Sequence, residues 1–139
     1  MTKTYRCKDV LTSLGYHSVT GYGEDDFISI EPNGEGTQKT VGCSGEVGRS
    51  IDPDTTYKGK IVLLQTSASN RELQRLYDLD QATGDGTFPM LVSNRRGGVQ
   101  FQTSMAWIKN RAPRTYGKGI KMVEWEFETG DGKLNEEAY

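Results

Sequence analysis

Phe88-Pro89-Met90-Leu91-Val92-Ser93 is followed by Asn94-Arg95-Arg96-Gly97-Gly98 and then by Val99-Gln100-Phe101-Gln102-Thr103-Ser104-Met105-Ala106-Trp107-Ile108. Two apolar runs flank a turn whose glycines are free to take positive φ, so the stretch predicts an antiparallel hairpin. In the return strand Val99, Phe101, Thr103, Met105 and Trp107 alternate with Gln100, Gln102, Ser104, Ala106 and Ile108. A period of two sends the first set toward the core and the second away from it. Trp107 therefore reads as a core residue.

Downstream, Lys109 to Lys118 contains Pro113 and Gly117 and reads as a long connection. Ile120 to Glu128 is the last predicted strand, with Val123, Trp125 and Phe127 on one side and Glu124, Glu126 and Glu128 on the other. Residues from about 130 to 139 are polar and read as a loose tail.

Upstream, Tyr57 to Thr66 holds four consecutive aliphatics, Ile61 to Leu64, and predicts a buried strand. A helix follows at once. Ser69 and Glu72 have capping-box spacing, Leu73, Leu76, Tyr77 and Asp80 share a face flanked by Leu79, and Gly84 stops the run. One apolar stripe requires a sheet to lie on.

Tyr5 to Leu14 reads as a first strand, continued by Tyr16 to Val19, with Gly21 and Gly23 marking a turn. Phe27 to Ile30 is a short strand ended by Pro32. From about 32 to 54, glycines punctuate a segment with few large apolar residues, an extended Gly-rich loop or loose hairpin. Structureless segments longer than about 12–15 residues in a compact domain are usually functional or disordered. Residues 1–139 thus form one domain, mainly β with one helix, a β-sandwich or half-barrel.

Composition points the same way. Apolar residues make up 34% of 139 residues, with 17 glycines, so the core is thin and stability in an oligomer is expected. No run of ~18 apolar residues is present, and no membrane partner is expected. The N-terminus lacks a signal peptide's apolar stretch, so the chain is expected to stay where it is made. Cys7 and Cys43 lack a CxxC partner and read as free thiols.

The residues offer little chemistry. His17 has no cysteine near it in sequence, and Glu24-Asp25-Asp26 lacks the alternating ligands of a calcium loop. Val41 to Ser50 is rich in glycine but has no GK[ST] ending. No metal, cofactor or catalytic residue is assigned, and the chain is not expected to be an enzyme. A net charge of −2 argues against neutralisation of many phosphates. The charge is nevertheless uneven. Arg95, Arg96, Lys109, Arg111, Arg114, Lys118 and Lys121 form an acid-free stretch, whereas Glu124, Glu126, Glu128, Asp131, Glu136 and Glu137 follow with one Lys133. Two solvated faces or a polarised subunit both fit this pattern. Phe101, Trp107, Arg111, Arg114 and Tyr116 leave open a small β-barrel that binds single-stranded nucleic acid.

From Thr20 to Glu128 the chain resembles the tail tube proteins of contractile-tailed bacteriophages. The resemblance is carried by Gly21-Tyr22-Gly23 through Asp26 to Ile30, Val41 to Ser50, and Gln65-Thr66-Ser67-Ala68-Ser69-Asn70. Thr83-Gly84-Asp85-Gly86-Thr87-Phe88-Pro89, Ala106-Trp107-Ile108-Lys109, and Tyr116-Gly117-Lys118 leading to Glu124-Trp125 complete it in order. It implies two sheets flanked by a helix, a fold shared with the type VI secretion tube protein. It also implies hexameric rings closing a continuous inner β-barrel, stacked within a contractile sheath in the virion and assembled in the host cytoplasm.

The partners implied are further copies of the chain, tail sheath, baseplate hub and tail terminator proteins, and DNA in transit through the lumen. A tailocin or secretion-system tube subunit is the near alternative. Lumen-facing positions are then expected at Gln100, Gln102, Ser104, Glu124, Glu126 and Glu128, because a DNA conduit should not bind polyanions. Gly42, Gly45, Glu46, Gly48 and Arg49 are expected in the ring-to-ring contact, with Glu46 and Arg49 able to pair.

Overall fold

The fold is taken from a computed structural model that describes residues 2–138. Its nine strands are β1 (Val10–Leu14), β2 (His17–Ser18), β3 (Ile28–Pro32), β4 (Thr37–Val41), β5 (Val47–Ile51), β6 (Thr56–Leu64), β7 (Phe88–Asn94), β8 (Gly98–Ile108) and β9 (Met122–Glu137). The helix α1 spans Ser69–Thr83. Seven strands form one antiparallel sheet in the order β2-β1-β7-β8-β9-β6-β3, while β4 and β5 pair only with each other.

The sheet curls until its two edges are strapped together. Val19 donates its N–H to the Thr12 carbonyl beyond β2, at 2.9 Å. Two residues on, the Gly21 carbonyl accepts from Leu64 of β6, and Gly23 donates to Val62, both at 2.8 Å. Tyr22 bridges to Leu63 between them. Of the two architectures expected, the half-barrel describes this chain.

Curling gives the sheet an inside. Trp125, Phe101, Phe127, Ile61 and Leu63 are fully buried there, together with Leu73 of the helix. Burial of each such side chain contributes about 1.5–3 kcal/mol. Leu73 and Leu76 point inward with Tyr77 packed beside them, as the stripe predicts. Asn70 locks the helix start to the sheet. Its Nδ2 donates to the Leu64 carbonyl at 2.9 Å, and its Oδ1 accepts from Trp125 Nε1 at 2.9 Å.

Four local expectations are corrected. The capping box does not form, because Ser69 Oγ turns to the Thr20 N–H (3.0 Å) and to His17 Nε2 (2.9 Å). Glu72 instead pairs with Arg75 at 2.6 Å, and Ser67 Oγ receives the Ser69 N–H. The first strand starts only at Val10, because a 3-10 turn over Cys7–Asp9 brings the Asp9 carboxylate to Arg6 and Arg96.

Trp107 is not core. Met90 pairs with Thr103 but Phe88 pairs with Ala106, so β8 carries one extra residue opposite β7. That bulge transfers the inward positions from Phe101 and Thr103 to Ala106 and Ile108. Trp107 is left half-buried and Met105 exposed.

Residues 130–137 are also not loose. β9 continues to Glu137, and Gly98 to Thr103 pair with Glu137 to Gly132 along it. Gly132 makes this continuation fit, since a Cβ there would lie 2.8 Å from the Phe101 ring and 3.0 Å from the Tyr57 ring.

Candidate assembly surfaces

The outer face of the sheet gathers the expected lumen positions in two patches. Glu124, Glu126 and Glu128 follow one another along β9, pointing away from buried Val123, Trp125 and Phe127. Gln100 and Gln102 lie on the far half of β8, opposite Asn135 and Lys133, with Ser104 exposed at the bulge. The register places Glu128 beside Trp107, so the tryptophan interrupts the two patches.

The acidic patch is not purely acidic. Lys58 and Lys60 of β6 stand opposite Glu128 and Glu126, and Lys60 Nζ lies 2.8 Å from Glu124. Lys109 approaches Glu128 at 3.9 Å. The bond to Glu124, aided by Glu126 and Glu31, holds the Lys60 ammonium charged above its ordinary range. The resulting surface alternates in sign, which weakens its field toward a polyanion in either direction. The lysines alternate along the Tyr57–Thr66 run and were visible there. What the run did not reveal was the strand they would face.

Three arginines of the basic stretch, by contrast, are engaged within the chain. Arg96 binds Asp9 at 2.8 Å, and Arg111 reaches Asp78 at 2.9 Å while lying over the Tyr77 ring. Arg114 stacks on Trp125 and donates to the Ala112 carbonyl. Phe101 is fully buried, so it offers no stacking face to a single strand.

The second surface is the hairpin β4–β5. All ten of its strand residues are exposed, including Val41 (56%), Val47 (65%) and Ile51 (74%). Its base is fixed: Asp52 N–H donates to the Gly36 carbonyl at 2.7 Å, and Asp52 Oδ2 accepts from Glu35 N–H. The Glu35 N–H and then the Asp54 N–H, both donating to it, hold the Asp52 carboxyl below the usual carboxylate range. Gly42, Gly45 and Glu46 form the tip, and Gly48 and Arg49 lie in β5. Glu46 and Arg49 do not pair among the described residues; Arg49 stands opposite Lys39.

The sheet also has open backbone edges. β3 pairs on one side only, with β6. Beyond Gly132, β9 pairs with β8 alone, because β6 begins opposite Asp131. Exposed edges of this kind invite another strand.

Residues 3–135 match the family described as bacteriophage PhiTE tail tube protein. The chain belongs to that family. It is a tail tube structural protein, and the family is not an enzyme class. This tail tube protein is 29% identical over 115 residues to structural protein ORF10 of Pseudomonas phage KPP10, covering 77% of this chain and 66% of that one, just under two thirds.

Solved structures agree on the fold. The tail tube protein matches a chain of the PVC extracellular contractile injection system sheath-tube complex in its extended state, with TM-score 0.67, 10% identity, and coverage of 96% and 92% of the two chains. It matches the tube-terminating cap of the anti-feeding prophage with TM-score 0.63, 11% identity, and coverage of 98% and 93%. A chain of the native gene transfer agent virion gives TM-score 0.61 at 14% identity, covering 98% and all of the respective chains.

Among the described residues, no helix is long and apolar enough to cross a membrane. Cys7 and Cys43 are free and exposed.

Proposed function

We propose that this tail tube protein closes hexameric rings edge to edge and stacks them into the tube of a contractile tail. Lateral closure uses the open edge of β3 and the distal half of β9, whose backbone groups lack partners in one chain. Head-to-tail contacts that close make rings, and repetition along the axis makes a filament. The outer face carrying Glu124, Glu126, Glu128, Gln100, Gln102 and Ser104 lines the bore. Its paired charges and uncharged polar groups let DNA pass without being held.

The single observation that carries this reading is the hairpin, with three aliphatic side chains in water and no strand partner outside itself among the described residues. Gly42, Gly45, Glu46, Gly48 and Arg49 belong to this arm, which makes the contact between rings. Sheath, baseplate hub and tail terminator proteins are the heterologous partners, and the site of action is the virion tail after assembly in the host cytoplasm.

A tube subunit of a tailocin or related injection machine is the second reading, favoured by the fold shared with the injection-system structures. Negative-stain electron microscopy of the purified protein tests the proposal. Six-fold rings or hollow tubes are expected. A compact solitary particle at every concentration contradicts it.

A further inference from the structure

The curled sheet leaves one end of its inner face uncovered. Leu134 pairs with Phe101 and shares its inward side, yet Leu134 is 40% exposed and the nearby Val99 is 47% exposed. With Ile28, Ile30 and Val92 they line a groove of about 680 Å³. Glu24, Asp25 and Asp26 edge this groove, all exposed, and no Lys or Arg lines it. It is apolar within and acidic at the rim.

The hairpin is its complement. Cross-strand partners share a face, so Val41 with Val47, Lys39 with Arg49, and Thr37 with Ile51 stand on one side. Gln38, Thr40, Gly48 and Ser50 take the other. One side of the arm is therefore aliphatic with two cations in its middle. Lys39 and Arg49 face each other and have no acidic partner among the described residues. Like charges placed opposite on a ladder are unfavourable until an anion reaches them.

We propose that the hairpin of one copy seats this face in the groove of a second copy, Val41, Val47 and Ile51 covering Val99 and Leu134 while Lys39 and Arg49 meet Asp25 and Asp26. This docking rests on the tube reading and names the surface that receives the arm. Apolar contact supplies the adhesion, and the acid rim against the paired cations sets the register. The two free thiols fall on opposite partners of this contact. Cys7 lines the groove, and Cys43 lies in the tip between β4 and β5.

Charge reversal tests it. Lys39→Glu with Arg49→Glu should abolish stacking, as should Asp25→Lys with Asp26→Lys. All four changes in one chain should restore tubes. Every position is exposed, so unchanged thermal melts confirm that each variant folds. A second readout mixes isotopically light and heavy wild-type protein, assembles it, and treats it with a short bismaleimide. The account expects a Cys7–Cys43 cross-link between light and heavy chains.

Normal stacking with both arm charges reversed, or cross-links confined within single chains, overturns the docking while the tube reading stands. Failure of the fourfold variant to assemble also counts against it. Wild-type protein that forms neither rings nor tubes overturns the tube reading and this inference with it.

Discussion

The curled sheet and the β4–β5 hairpin obey opposite rules of burial. In the sheet, β6 from Lys58 onward and β9 as far as Thr129 alternate, with Ile61, Leu63, Val123, Trp125 and Phe127 inside and Lys58, Lys60, Glu124, Glu126 and Glu128 outside. In the hairpin the same alternation exists but, among the described residues, nothing covers it, and Val41, Val47 and Ile51 remain in water. The sheet is stabilised by its own chain. The hairpin has an amphipathic face left in water. On the proposed reading stability and assembly fall to separate regions, and mutations should separate them.

The largest effect should come from the sheet. Trp125→Ala removes the largest fully buried side chain, its bond to Asn70 and the seat of Arg114, and should cost about 3–5 kcal/mol in urea unfolding. Gly132→Val should cost about 1–3 kcal/mol, since the new side chain meets the Phe101 and Tyr57 rings. If Gly132→Val were neutral, the distal half of β9 would not be packed as described.

The hairpin should answer in the opposite way. Val41→Asp or Ile51→Asp should change unfolding free energy by less than about 0.5 kcal/mol and yet prevent stacking, read by pelleting and electron microscopy. A large stability loss would mean that the arm belongs to the core of its own chain.

The smallest effect sharpens the boundary of the sheet. Arg6 first, and then Arg96, hold the Asp9 carboxyl below its ordinary range. A depressed folded-state value means that the stabilisation is complete above the ordinary aspartate value and is lost as pH falls through the lower folded one. Asp9→Asn should flatten that acid-side slope in thermal melts while leaving assembly at neutral pH intact.

Much of the sheet was legible because its signals are local. The aliphatic run Ile61 to Leu64, the turn Asn94 to Gly98 and the alternation Val123 to Phe127 each state their own structure. What failed was set by partners. The shift of Trp107 off the core depends on β8 having one more residue than β7 between two pairings, which neither strand records alone. The strand from Gly132 to Glu137 is polar, held by its ladder with β8 rather than by burial, so hydropathy is silent there. Ser69 kept its capping spacing and lost its cap to Thr20 and His17, residues far away in sequence.

For the candidate surfaces, the glycines marked the exposed hairpin, but its single apolar and basic face required the register. Likewise the alternating lysines of β6 could not be matched to Glu124 and Glu126 until the strands were paired.

Hydrogen exchange of the β4–β5 amides, compared between free and assembled protein, tests the division of labour most directly. Residues 37–51 should exchange markedly more slowly once tubes form, while amides of β6 and the Met122–Thr129 half of β9 stay protected in both states. Equal exchange of the hairpin in the two states would contradict the claim that a neighbouring copy covers it.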